Sequence, residues 1–248
     1  MISNDGPRRR YAVSPKRVAR RESRRAELLY EAMALTVESG LDALTIGGLA
    51  KRVGASVGAL YRYFPSKEAI LIGLQELAVA DYHAFAKERL ASFDRMAAAA
   101  KAAADVVALA RVMVVLRSYL EHAEASPESH RLMDAVVSDP EPLLRLDNAI
   151  DIDRRVVAPI VTAIAALFEA AAREGALVAG DATERTYLAW AMQHGLDHFR
   201  KRDRLVPAEL RTPMLQTFAL RILLGGLGAS RGAIDGAERL VGAGARDR

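Results

Sequence analysis

The sequence predicts an all-α protein, and three observations carry the prediction. Apolar residues recur at three- and four-residue intervals along most of the chain. Residues that start and stop helices, among them Thr45, Gly54, Ser56 and Pro65, bracket those periodic stretches. No segment shows sustained strand alternation closed by a hairpin turn.

Residues 1–20 carry Pro7, Pro15 and clustered arginines without apolar periodicity, and are read as a flexible basic arm. From about Arg21 to Ser39, the residues Leu28, Leu29, Ala32, Leu35 and Thr36 share one face, and Gly40 supplies a stop. Thr45 caps a second helix, Ile46 to about Arg52, with Leu49, Ala50 and Val53 as its inward stripe and Gly54 as its end. Ser56 caps a third helix. In it Val57, Leu60 and Phe64 are expected to face a core, while Gly58, Ala59 and Arg62 face outward. Pro65 closes that helix, because the residue before a proline is pushed out of helical geometry.

Ser66 then caps a long fourth helix, with Glu68 at its positive end and Ile70, Leu71, Leu74 and Leu77 extending the apolar stripe. Further helices are expected over about Met96 to Glu124, Pro127 to Ser138, Asp151 to Glu174, Asp181 to Arg202 and Thr212 to Leu227. The alanine-rich run MAAAAKAAADVVALA is read as helix, since alanine is the best helix former. The GGLG of Gly225 to Gly228 follows a helix and reads as its end. The expected organisation is an arm at 1–20, a helix-turn-helix domain at 21–66 and a larger helical domain at 67–248.

Composition removes several function classes. The 248 residues are 51% apolar, enough for a substantial core, and contain no cysteine, so disulfides and thiolate metal sites are excluded. No apolar run is read as reaching a membrane span, because VVALARVMVVLRSYL is broken by Arg111 and Arg117, and nothing marks the chain for export. A soluble cytoplasmic protein without a membrane partner is the expectation. The net charge of +4 is unevenly spread: residues 1–25 carry +7 and the others −3. A basic end on a slightly acidic body suits a chain that approaches a polyanion with one end.

Two short helices joined by Gly54, Ala55 and Ser56 have the arrangement of a helix-turn-helix, whose second helix enters the DNA major groove. The small side chains of Gly58 and Ala59 let that helix come close to DNA, and Arg62 can reach a guanine edge through paired hydrogen bonds. The stretch TIGGLAKRVGASVGALYRYFPSKEAIL, Thr45 to Leu71, resembles the DNA-binding signature of the TetR family of bacterial transcriptional regulators. The resemblance implies phosphate contacts from Thr45, Ser56, Tyr61 and Lys67, and base-facing positions at Arg62 and its neighbours Val57, Gly58 and Ala59. Tyr63 is open between a phosphate contact and a ring packed on the fourth helix. Gly47 and Gly48 depart from the family pattern and are expected to loosen the bracing helix.

The resemblance also implies a homodimer on a palindromic double-stranded operator, released by a small apolar effector, with dimerisation through the last two long helices. Met192, Gly195, Leu196, Phe199, Phe218, Ile222 and Gly225 are the candidate seam. Phe85, Met113, Tyr119, His122, Trp190 and His194 are the candidate effector contacts, since aromatic and methionine side chains suit adaptable apolar sites. His194 and His198 stand i, i+4 beside Asp197, a spacing that can hold a metal, but no third ligand is recognisable and no metal or other cofactor is assigned. No catalytic constellation stands out, so the expectation is a non-enzyme. Two other readings are a helical DNA-binding protein without an effector and a helical enzyme with an incidental headpiece.

Overall fold

The first helix, α1 (Pro15–Ser39), begins with proline where its missing N–H costs nothing, and buries Leu28, Leu29 and Ala32. The computed structural model describes residues 14–139 and 142–246, so the extreme part of the expected basic arm, with Arg8, Arg9 and Arg10, lies outside the described residues. Within them the helix starts earlier than expected: residues 15–20 are helical and exposed. Their lysine and arginines are good helix formers, which the absence of an apolar stripe concealed.

Helices α2 (Ile46–Arg52) and α3 (Val57–Tyr61) follow, then α4 (Lys67–Ala97). Contacts divide the chain into two units, Met1–Leu74 and Gln75–Arg248, with the division inside α4. In the first unit, Leu44, Ile46, Leu49, Leu60, Phe64, Ile70 and Leu74 are buried with the α1 stripe. Phe64 is fully buried, worth roughly 1.5–3 kcal/mol of transfer free energy, and the guanidinium of Arg25 lies 5.6 Å from its ring centre. Val57 departs from the expected inward stripe and is 45% exposed, because it occupies the first position of α3 and points away from the core that Leu60 enters.

The second unit adds α5 (Ala104–Ala125), α6 (Pro127–Ser138), α7 (Leu146–Ile152), α8 (Ala158–Arg173), α9 (Ala182–Phe199), α10 (Thr212–Gly226) and α11 (Arg231–Arg246). Its core joins Phe93 of α4, Leu109, Val112 and Met113 of α5, Phe168 of α8, Ala189 of α9, Leu220 and Leu224 of α10, and Ile234 and Ala237 of α11. No strand occurs among the described residues.

Three expectations change here. The alanine run does not form one helix, because α4 ends at Ala97 and α5 starts at Ala104. Phe93 and Ala97 share a core with Ala108 and Leu109, so packing reverses the chain where propensity alone would continue it. The sequence signals no helix beyond Leu227, yet Arg231–Arg246 form the 16-residue α11. Ser230 caps them, its Oγ accepting from the Ala233 N–H at 3.1 Å, and the helix packs along α5, so α9 and α10 are not the last two long helices. Finally, Leu146–Arg173, continuous through a wider turn at Asp153–Val157, is one helix among the described residues long and apolar enough to cross a membrane. Its Val161, Ala165, Phe168 and Ala171 are buried within this unit, an amphipathic core stripe whose length the arginine-broken segment in α5 had overshadowed.

Candidate nucleic-acid interface and ligand cavity

The first unit is assembled from two capped helices around a left-handed glycine. Thr45 Oγ1 accepts from the Gly48 N–H at 2.9 Å and Ser56 Oγ from the Ala59 N–H at 3.2 Å, each satisfying one free donor at a helix start. Between them Gly54 has φ +63°, a conformation that a side chain disfavours, and so turns the chain from α2 into α3. Gly48 is required by space. A Cβ there would stand 2.7 Å from the Ala43 carbonyl oxygen and 3.1 Å from Thr45 Oγ1, whereas Gly47 meets only Thr45 Oγ1 at 4.0 Å. The two glycines that depart from the family pattern therefore differ: one fits a close approach, the other is free to change.

Thr45, Ser56, Val57, Gly58, Tyr61, Arg62 and Lys67 are all exposed, and Ala59 and Tyr63 are half-buried. Arg62 ends α3, its carbonyl accepting from Arg21 Nη2 at 3.0 Å, which ties α1 to the end of the presented helix. Lys67 Nζ donates to the Leu41 carbonyl at 3.2 Å. Arg52 joins α2 to α1 by bridging Glu31 at 2.8 Å and Glu38 at 2.7 Å, and this contact holds the Glu38 carboxyl below its ordinary range. Arg17, Arg20, Arg21 and Arg24 line a basic groove edged by Tyr63. In the sequence these arginines belong to a charged arm and the start of the first helix, and their three- and four-residue spacing is the signal that places them on one helical face.

In the second unit a cavity of about 430 Å³ lies among α4 to α9. Tyr119 and Trp190, two of the candidate effector contacts, line it together with Val79, Leu116, Met133 and Ile160. Phe85, Met113, His122 and His194 lie outside the lining. Met113 is spent in the core and Phe85 stacks edge-on against the His122 ring at 5.5 Å. Polar groups are few. Gln75 Nε2 donates to the Met133 carbonyl at 3.2 Å, and Gln193 Oε1 accepts from Gln216 Nε2 at 2.8 Å. That leaves Gln193 Nε2 buried without a hydrogen-bond partner among the described residues, beside an otherwise apolar space.

Behind this wall runs a polar chain. His122 Nε2 lies 3.0 Å from Asp81, His122 and His130 meet at 3.5 Å through their Nδ1 atoms, and His130 Nε2 lies 3.3 Å from Asp197. Burial lowers the His122 pKa, and this outweighs the opposing attraction of Asp81. Burial by itself would raise the carboxyls of Asp81 and Asp197, but hydrogen bonds from His122 and His130, respectively, hold both below the ordinary value. Burial pushes Tyr82, on the cavity wall, up to about 12.

Of the proposed seam, Gly195 and Phe199 on α9 and Phe218, Ile222 and Gly225 on α10 are exposed, while Met192 and Leu196 are half-buried. Leu188 and Met214 extend the exposed apolar face.

Comparison with known proteins agrees with this geometry. A family model for bacterial regulatory proteins of the tetR family matches residues 28–74. The nucleoid occlusion factor SlmA of Marinomonas sp. (strain MWYL1) is 34% identical over 136 residues, covering 53% of this chain and 62% of that protein, so the chain spans under two thirds of this relative. The fatty acid degradation regulator FadR from Bacillus halodurans shares the fold with a TM-score of 0.60 at 15% identity, covering 88% of this chain and 100% of that one. AibR, solved with isovaleryl coenzyme A and operator DNA, shares it with a TM-score of 0.58 at 15% identity, covering 81% and 98%. The helix-turn-helix segment thus matches the tetR family of bacterial regulatory proteins, and the helical fold is the one these solved regulators share.

Proposed function

We propose that this DNA-binding regulator is a cytoplasmic homodimeric repressor released from a palindromic operator by a small apolar effector. The observation that carries the effector is the cavity, whose volume suits a small ligand and whose lining is apolar except for a few placed groups. The unpartnered Gln193 Nε2 selects a ligand with one hydrogen-bond acceptor, such as the carbonyl of an acyl group. The names of FadR and of the AibR complex, a fatty acid degradation regulator and a protein bound to an acyl-coenzyme A, support testing acyl ligands first.

In this reading Thr45, Ser56, Tyr61 and Lys67 contact phosphates, with Tyr63 at the edge of the basic groove, and Val57, Gly58, Ala59 and Arg62 face the bases. The exposed faces of α9 and α10 meet their copies about a two-fold axis, which sets two recognition helices one turn of DNA apart. Helix α4 carries both Lys67 and the cavity residues Gln75, Val79 and Tyr82, so a ligand that favours one position of α4 shifts the population away from the DNA-competent state. Footprinting on the DNA upstream of its own coding region, with and without medium-chain acyl ligands, tests the reading. Protection abolished by ligand supports it; protection unaffected by any of them opposes it. That second outcome would favour a DNA-binding role without an effector, the reading that similarity to a nucleoid occlusion factor supports.

A further inference from the structure

All five of the chain's histidines lie in the second unit, and two of them, His194 and His198, share one carboxylate. His194 and His198 stand one turn apart on α9, their ring centres 4.7 Å from each other. Asp134, on α6, reaches both: its Oδ1 lies 3.2 Å from His194 Nδ1 and its Oδ2 lies 3.7 Å from His198 Nε2. One ligand atom from each of the three residues lies within 4.8 Å of the others. In a tetrahedral zinc site with bonds of about 2.0–2.1 Å, neighbouring ligand atoms stand about 3.3 Å apart. The two measured separations bracket that edge.

The hydrogen bonds on the far side of each ring prepare the near side. His198 Nδ1 lies 3.2 Å from the His194 carbonyl oxygen, to which it can only donate, so its Nε2 presents a lone pair. His194 Nε2 lies 3.2 Å from Ser138 Oγ, and a proton shared there leaves a lone pair on Nδ1. Ring nitrogens held in this way by a carbonyl or hydroxyl are the usual support of metal-ligating histidines. Asp134 Oδ1 is buried and, despite the nearness of His194, makes no hydrogen bond among the described residues. Two lone pairs and a carboxylate oxygen thus converge on one point.

We propose that Asp134, His194 and His198 bind a divalent transition-metal ion of the zinc class, with solvent or another ligand in the fourth position. Two imidazoles with one carboxylate suit zinc, cobalt or nickel, whereas magnesium and calcium prefer all-oxygen sites. Binding displaces the Tyr119 hydroxyl, which lies 3.1 Å from the same His194 Nδ1. The ion joins α6 to α9, two helices that also supply Met133 and Trp190 to the cavity wall. The site stands apart from the DNA-binding and effector readings and does not depend on them.

The test is zinc titration of the full chain, stripped with chelator, in competition with a chromophoric chelator. Wild type should bind one ion per chain, and Asp134→Asn and His198→Ala should each weaken binding at least tenfold. His83→Ala, exposed on α4 and outside the cluster, should bind as wild type. Cobalt should give the visible absorption of a tetrahedral complex in wild type and lose it in His198→Ala. His198 is exposed, so its variant keeps the fold, as circular dichroism will register. The proposal is overturned by wild type that takes up no stoichiometric zinc, by undiminished binding in either site variant, or by an equal loss in His83→Ala.

Discussion

Gly48 donates its backbone N–H to Thr45 Oγ1 at 2.9 Å while its α-carbon faces the Ala43 carbonyl so closely that a methyl group would stand 2.7 Å from that oxygen. Gly48→Ala should therefore destabilise the first unit by roughly 1–3 kcal/mol through forced backbone displacement. Gly47→Ala, at an open position, should stabilise it by up to about 1 kcal/mol. Urea unfolding of both variants checks the pair; equal effects of the same sign would contradict the steric account.

Arg62 and the α1 arginines should separate specific from nonspecific binding. Arg62→Ala is expected to weaken operator binding by roughly 1–3 kcal/mol and random DNA far less. Arg17→Ala and Arg20→Ala, in the basic groove, should weaken both alike and each reduce the salt slope by about 1. Titrations at several salt concentrations supply both readings, and identical profiles for all three variants would remove Arg62 from base recognition.

The apolar face of α9 and α10 predicts assembly. Phe218 and Ile222 are 62% and 61% exposed, so Phe218→Asp with Ile222→Asp should leave each chain folded while giving a monomer that has lost operator affinity. Sedimentation velocity and circular dichroism together decide it; a double variant that remains dimeric would place the interface elsewhere.

The histidine chain predicts acid sensitivity. His122, fully buried, has its pKa lowered from 6.5 on folding, so the unfolded chain takes up a proton before the native one does. Its contribution is present above about pH 6.5 and is lost as pH falls through the native value. Asp81 and Asp197, also lowered, add losses of the same sign at more acid pH, below the ordinary carboxylate value of 3.8. Unfolding free energy should decline between about pH 7.5 and 5.5, and His122→Gln should flatten that decline.

The helix-turn-helix was legible because each of its signals is local. A cap at Thr45, a turn glycine at Gly54, a cap at Ser56 and a proline at Pro65 all act within a few residues of where they stand. What was illegible depended on distant partners. Val57 has the spacing of a core residue but no wall opposite it, and the alanine run has the propensity of a helix but sits where Phe93 and Leu109 must share one core. Likewise the pair His194 and His198 was visible, whereas Asp134 comes to it only through the packing of α6 on α9. Tyr119 and Trp190 reached the cavity lining while Met113 did not, because composition identifies residues suited to a cavity without saying which face of α5 meets it.

The most direct measurement is operator affinity of the full chain by fluorescence anisotropy, with and without saturating acyl ligand, for wild type and for Gln193→Leu. A tenfold or greater loss of wild-type affinity on ligand addition, reduced in Gln193→Leu, is the expected result. Operator affinity unchanged by every ligand that demonstrably occupies the cavity would contradict ligand-released repression.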